Sequence, residues 1–442
     1  MTINTLTDWI PGPRLVTRAP IPAEADWAVD IARDDEVHPG EVGLDPDAVE
    51  AVWESVRTVY RSGIHPAISL CVRREGQVLL KRALGYRSGA GPDADPADLS
   101  RAEPCTVETP FNIYSASKPV TAMVTHLLDQ RNLIHLDDPV CRYIPEFAAH
   151  GKRWITIRHI LVHRAGFPSL PPDALDLENL RDPDNAEPVR ILCDAEPDWG
   201  AGRRLAYHAL SGGFILGEIA RRVTGRGIRE FLRDEIAEPL GWRWMSYGVA
   251  AADVDKVAVN YVTGLPPFPP LSGVIARALG VSLDDAVRLS NDRRFLEGVL
   301  PAGNVVTTAD EASQFYELLL EGGELGGVRI FEPRTVWRAV SEQTYGEFDY
   351  TLAVPIRYGL GFMLGADYVS LFGPDTRYAF GHLGFTNVVC WADPMRKLTV
   401  ALMTSGKPVV YPELPSLFSV AMALQRACPK IEGAAERPYA GM

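Results

Sequence analysis

The 442-residue chain is 46% hydrophobic and 23% charged, the balance of a soluble globular protein, and it is longer than a single core usually supports. A formal net charge of −13 argues against nucleic acid and against anionic membrane surfaces as partners. Six scattered cysteines lack any Cys-x-x-Cys spacing, and the nine histidines show no His-Glu-x-x-His pattern. Neither a disulfide framework nor a metal site is indicated, and no cofactor is expected.

Residues 1–42, rich in Pro, Asp and Ala, have no sustained periodicity and are expected to form an arm on the surface. Met1 to Pro11 lacks the basic start and apolar segment of a signal peptide, and no run reaches membrane-spanning length. A cytoplasmic protein without membrane insertion is therefore expected. Between residues 45 and 61, Val49, Val52, Val56, Val59 and Tyr60 fall on one helical face. Residues 67–80 read as two strands joined at Glu75-Gly76.

The next stretch, Tyr114-Ser115-Ala116-Ser117-Lys118-Pro119, precedes an apolar run through Met123, Val124, Leu127 and Leu128 at helical spacing. Pro119 fits only in a first turn, which puts Ser115 at the start of the helix. Residues three apart share a helix face, so Lys118 stands beside the Ser115 hydroxyl. Burial drives a lysine toward its neutral form. A neutral amine can take the proton of a serine, which is a poor nucleophile until that proton leaves. Backbone N–H groups at the helix N-terminus suit a developing oxyanion. The plain alternative is an N-capping serine followed by a solvated lysine.

Residues 133–140 turn the chain, and 155–167 are expected to open a helix that stops at Gly166. An amphipathic helix runs through Phe214, Ile215, Leu216, Ile219 and Val223, with a second from Ile228 to Ile236. The apolar, proline-rich 262–271 leads into a helical stretch ending at Leu289. Residues 262–290 are expected to be a lid or pocket wall, with a surface linker as the alternative. A helix over 309–320 then precedes strand-like runs at 358–364, 378–380, 386–391 and 398–403, and a closing helix over 414–426. Strands near both ends with helices between point to one sheet built from both termini. The expected division is an arm (1–42), a discontinuous α/β domain (43–130 and 300–442) and a helical domain (131–299).

Three segments line up in order: Ser115-Ala116-Ser117-Lys118, Tyr207-His208-Ala209 ahead of a helix, and Gly381-His382-Leu383-Gly384-Phe385 late in the chain. This order resembles the serine β-lactamase and penicillin-binding protein superfamily, with its class C-like branch and β-lactamase-like (family VIII) esterases nearest. Leu136-Asp137-Asp138-Pro139-Val140, Pro301-Ala302-Gly303-Asn304 and Tyr358-Gly359-Leu360-Gly361-Phe362 strengthen the likeness, which covers roughly 45–425. The resemblance implies an α+β fold, an antiparallel sheet flanked by helices with a mostly helical inserted lobe. It implies Ser115 as acyl-forming nucleophile, Lys118 as its proton acceptor and Tyr207 as the partner in acid–base work. The N–H groups of Ser115 and Phe385 would form the oxyanion hole, with His382 and Gly384 beside it at the substrate. A core tyrosine with a satisfied hydroxyl is the alternative for Tyr207, a histidine making only a structural bond is the alternative for His382, and His159 and His163 are read as structural.

Two departures bear on substrate. Penicillin-recognising members usually carry Tyr-x-Asn where this chain has Ala209, and Lys-Thr-Gly where it has His382-Leu383-Gly384. Feeble or absent β-lactam hydrolysis is expected, with Leu383, Phe385 and 262–271 favouring an apolar acyl group. The expected activity is serine carboxylester hydrolysis of small or medium acyl esters, the partner being a small-molecule ester. An acyltransferase, a weak β-lactamase or D-amino-acid peptidase, and an inactive binding or scaffold homologue are the alternatives. The sequence leaves a homo-oligomer open.

Overall fold

Two segments far apart in the chain build one antiparallel sheet. The first gives β1 (Val29–Ile31), β2 (Ala67–Arg74) and β3 (Gln77–Ser88). The second gives β4 (Met363–Leu364), β5 (Phe380–Gly384), β6 (Val388–Asp393) and β7 (Leu398–Thr404). Their spatial order is β1-β3-β2-β7-β6-β5-β4, with Glu103–Pro104 pairing to β3. The computed structural model describes residues 16–95, 98–170, 176–269 and 271–431.

Register decides what each face of the sheet carries. Cys71, Ala401, Cys390 and His382 stand in one cross-strand row, and Leu70, Leu402, Val389 and Leu383 in another. Side chains alternate along a strand, so bulky Val72, Val400 and Trp391 share the second face. On that face α1 (Pro46–Arg61) buries Val49, Val52, Trp53, Val56 and Tyr60, started by Asp45 accepting from the Asp47 amide. The small residues of the first face let α2 (Lys118–Gln130) and the helical lobe come close, in a core with Met123, Val124, Phe315 and Leu319. Beyond α2 follow α3 (Ser211–Thr224), α4 (Leu271–Leu279), α5 (Leu283–Ser290), α6 (Ala309–Leu320) and α7 (Leu414–Ala427). No helix among the described residues is long and apolar enough to cross a membrane.

Within the expected arm, Val29–Ile31 adds an edge strand to β3, too short to show alternation, while residues 1–15 lie outside the described residues. Two expectations need correction. The helix foreseen over 155–167 is only Ile157–Leu161, because His163 takes a left-handed backbone conformation that ends it. The strand foreseen over 358–364 shrinks to β4. Gly361, at φ +99°, bends the chain where a Cβ would lie 2.2 Å from that of Ala122. The His-Leu-Gly segment is the body of β5.

Candidate active site

A single 3-10 turn, Tyr114–Ser117, runs straight into α2. It separates the roles of the two serines. Ser117 is fully buried and its hydroxyl accepts from the Val305 amide at 2.9 Å, whereas Ser115 is half-buried at the wall of a cavity. Tyr114 holds a left-handed conformation at φ +48°, uncommon for a bulky residue and the kind of strain found at functional turns.

The Lys118 amine is buried and has three partners: Ser115 Oγ at 3.1 Å, the Ala209 carbonyl at 2.6 Å and the Ala302 carbonyl at 3.1 Å. It lies 4.7 Å from the centre of the Tyr207 ring. Burial pushes its pKa well below the ordinary 10.5. A neutral amine has two N–H bonds and one lone pair. With two carbonyls taking the N–H bonds, the lone pair is left for the Ser115 hydroxyl. Gly213 of α3 allows this approach, since a Cβ there would meet the Ala302 nitrogen at 2.6 Å.

Tyr207 is buried, with its phenol beside the Ser115 side chain. Desolvation raises its pKa, a rise that Ser115 opposes and nearby Asp349 reinforces. The loop bearing it is pinned from two sides. His163 accepts the Ala206 amide at its carbonyl (3.0 Å) and the His208 amide at Nδ1 (3.2 Å), and its ring lies 4.7 Å from that of Tyr207. Asp349 Oδ1 accepts from the amides of Tyr207 (3.1 Å), Thr351 (2.9 Å) and Leu352 (2.9 Å), and Oδ2 from the Tyr358 hydroxyl (3.1 Å). His159 and His163 stand four apart, yet they do not pair: His159 closes a capping box with Thr156. Among the described residues no cluster of three or more metal-ligating side chains occurs.

On the opposite wall, β5 ends against the nucleophile turn. A Cβ at Gly384 would lie 2.2 Å from the Ile113 carbonyl, so only glycine permits this closeness, and Phe385 follows directly into the cavity wall. His382 lies in the body of β5. Its Nδ1 donates to the Leu383 carbonyl at 2.8 Å, and its ring centre is 6.1 Å from that of Tyr207. Burial lowers its pKa to about 3. The imidazole is thus neutral, with Nδ1 committed to backbone.

Ser115, Lys118 and Tyr207 therefore converge, with Phe385 and Gly384 close beside them and the His382 ring next to that of Tyr207. Sequence reasoning missed Asp349, which lies in no motif quoted above. It also missed that Ala209 and Ala302 act through their carbonyls, although both stand in segments that carried the resemblance.

Residues 52–414 match the Beta-lactamase family. The esterase/beta-lactamase LipL of Mycobacterium tuberculosis is 28% identical over 320 residues, 70% of this chain and 72% of that protein. The esterase EstB of Burkholderia gladioli is 30% identical over 247 residues, 52% of this chain and 59% of its own. Among solved structures, a penicillin-binding protein homologue from Caulobacter crescentus superposes with a TM-score of 0.73 at 25% identity, covering 87% of this chain and 99% of the other. A family VIII carboxylesterase gives 0.72 at 25%, covering 86% and 98%. The chain belongs to the Beta-lactamase family and is a serine hydrolase of the β-lactamase and penicillin-binding protein superfamily.

Proposed function

We propose that the chain hydrolyses carboxylic esters through an acyl-enzyme on Ser115, with Lys118 and Tyr207 moving the protons. The observation that carries this reading is the 3.1 Å contact between the Ser115 hydroxyl and a buried amine that has no carboxylate partner among the described residues, with the Tyr207 phenol beside the same serine. Ser115 Oγ attacks the ester carbonyl carbon as its proton passes to Lys118. The carbonyl electrons move onto oxygen, which the N–H groups of Ser115 and Phe385 receive. Collapse of the adduct breaks the ester bond, and the departing alkoxide takes a proton relayed through Tyr207. Water then gives up a proton by the same route, attacks the acyl carbon and releases the acid, restoring Ser115. Ester and water become acid and alcohol, and the enzyme returns to its starting state.

Names among the relatives, an esterase/beta-lactamase and an esterase, support an ester substrate. β-Lactam turnover is expected to be weak, because Ala209 offers no side-chain amide and His382, neutral, offers no fixed cation. The test is Ser115→Ala. It should abolish hydrolysis of p-nitrophenyl acetate and labelling by a fluorophosphonate, with the melting temperature retained. Undiminished turnover in that folded variant would reject the mechanism.

A further inference from the structure

The cavity that begins at Ser115 is far larger than a small ester requires, at about 470 Å³. It has two apolar walls. One is the helical pair beyond the proline-rich segment, through Leu271, Val274 and Ile275 of α4 and Ala286 and Leu289 of α5. The proline-rich stretch itself is not that wall, for Phe268 is 60% exposed to solvent. The second runs past the Phe385–Asn387 turn onto the bulky face of the sheet, where Leu383, Val389, Trp391 and Leu402 face Leu417 and Ala421 of α7.

This second branch is built by the way α7 meets the sheet. Its C-terminal half seats Leu424 and Ala427 in the core. Its N-terminal half stands off, leaving Leu414 41% and Phe418 42% exposed at the cavity rim. Among the described residues no Lys, Arg, Asp or Glu lines the cavity. Two of its polar side chains are already occupied: the Ser290 hydroxyl bonds the Tyr114 hydroxyl at 2.7 Å, and Asn387 faces His65 at 3.5 Å. The Thr386 and Tyr411 hydroxyls also line it, but the rest of the wall is hydrocarbon, so a charged group would enter without a counter-charge whereas a hydrocarbon would gain by leaving water.

We infer that the channel between the sheet and α7 is a binding site for a long hydrocarbon chain carried by the ester. The inference rests on the serine-hydrolase reading and narrows it to substrates longer than the small or medium esters expected from sequence. The chain belongs either to the acyl group or to the alcohol, and the two sources are separable by experiment.

The test uses the unmodified protein with two substrate series, each kept below its aggregation concentration. One varies the acyl group of p-nitrophenyl esters from acetyl through butyryl and octanoyl to dodecanoyl. The other varies the alcohol of acetate esters from butyl to dodecyl, followed by acid release. In the series whose chain enters the channel, kcat/KM should rise about two- to fourfold per methylene, as burial of successive methylenes dictates, until the channel is full. Ala421→Trp should plug the channel and lower the ratio of long-chain to acetyl kcat/KM by about tenfold, the scale of an overpacked site. Leu417→Trp, on a more exposed turn, serves the same purpose if the first variant does not fold. If both series stay flat or fall beyond butyl while Ser115→Ala still abolishes acetate turnover, the channel is not a chain site and the hydrolase reading survives. An unmoved ratio in a folded channel variant also overturns the inference. If no ester is hydrolysed, both readings fall.

Discussion

Two buried lysines flank the nucleophile turn, and only one has a hydroxyl to act on. Lys118 meets two carbonyls and Ser115 Oγ, beside the Tyr207 ring. Lys407 donates to the Thr404 carbonyl at 2.6 Å and sits 4.9 Å from the centre of the Tyr114 ring. Desolvation lowers the pKa of both, that of Lys407 to about 7. Burial alone therefore lowers a lysine's pKa, and it does not make a general base. What distinguishes the site is a hydroxyl at hydrogen-bonding distance with both amine hydrogens already held.

The largest break in that comparison comes from Lys118→Met. It keeps the volume and removes the lone pair, so kcat for p-nitrophenyl acetate should fall by about 10²–10⁴-fold, the range of general-base contributions. In the unmodified enzyme the active amine is the deprotonated form. The rate should thus decline as pH falls through the depressed pKa of Lys118, well below the pH at which an ordinary lysine ionises. A rate profile that rises only near 10.5 would mean the amine is not desolvated in solution.

Tyr207→Phe sharpens the comparison from the other side of the serine. The ring contacts with His163 and Lys118 persist while the hydroxyl is lost. A fall in kcat of roughly 10²-fold with unchanged folding is expected. If the loss is under about threefold, Lys118 moves the protons without the phenol.

The difference between the two lysines was half legible in the sequence. Lys118 was readable because serine and lysine three apart on a helix must meet, and Pro119 fixed where that helix begins. Lys407, in Ser405-Gly406-Lys407, looks like an ordinary surface residue until β7 and the loop after it enclose it. The sheet was legible where apolar runs were long, as in β2, β3 and β7, overdrawn at β4, and illegible at β1, which has three residues. The support of Tyr207 was not legible. Asp349 meets it across 142 positions of sequence, and only folding brings the pair together.

Asp349 gives the next prediction. One oxygen accepts three amides, so Asp349→Asn keeps an acceptor where Asp349→Ala removes it. Alanine should cost about 1.5–3 kcal/mol of stability, the worth of hydrogen bonds to a charged group, and should lower kcat more than asparagine does. Denaturant titration and p-nitrophenyl acetate kinetics on the two variants measure both effects. Equal behaviour of the two would show that the loop holds its shape without that oxygen.

The smallest effect on rate is expected at Lys407. Lys407→Met should leave ester turnover within about threefold, because Lys407 contacts no reacting group. Its signature is in stability. Between its folded pKa of about 7 and the ordinary 10.5, the unfolded chain holds a proton that the folded chain lacks. Stability of the unmodified protein therefore rises with pH in that window, by at most about 1.4 kcal/mol per unit from this group. Below pH 7 both states are protonated and the destabilisation is complete. Methionine removes the ionisation, so the variant should be more stable than the parent at pH 7, and the gap should close as pH climbs toward 10.5. The nearby imidazole, His65, is held neutral by burial with its pKa lowered to about 3, so it adds no slope in that range. Urea titrations of both proteins at neutral and alkaline pH measure the gap. A gap that stays constant with pH would place the Lys407 amine in contact with water, and the symmetry between the two lysines would then be lost.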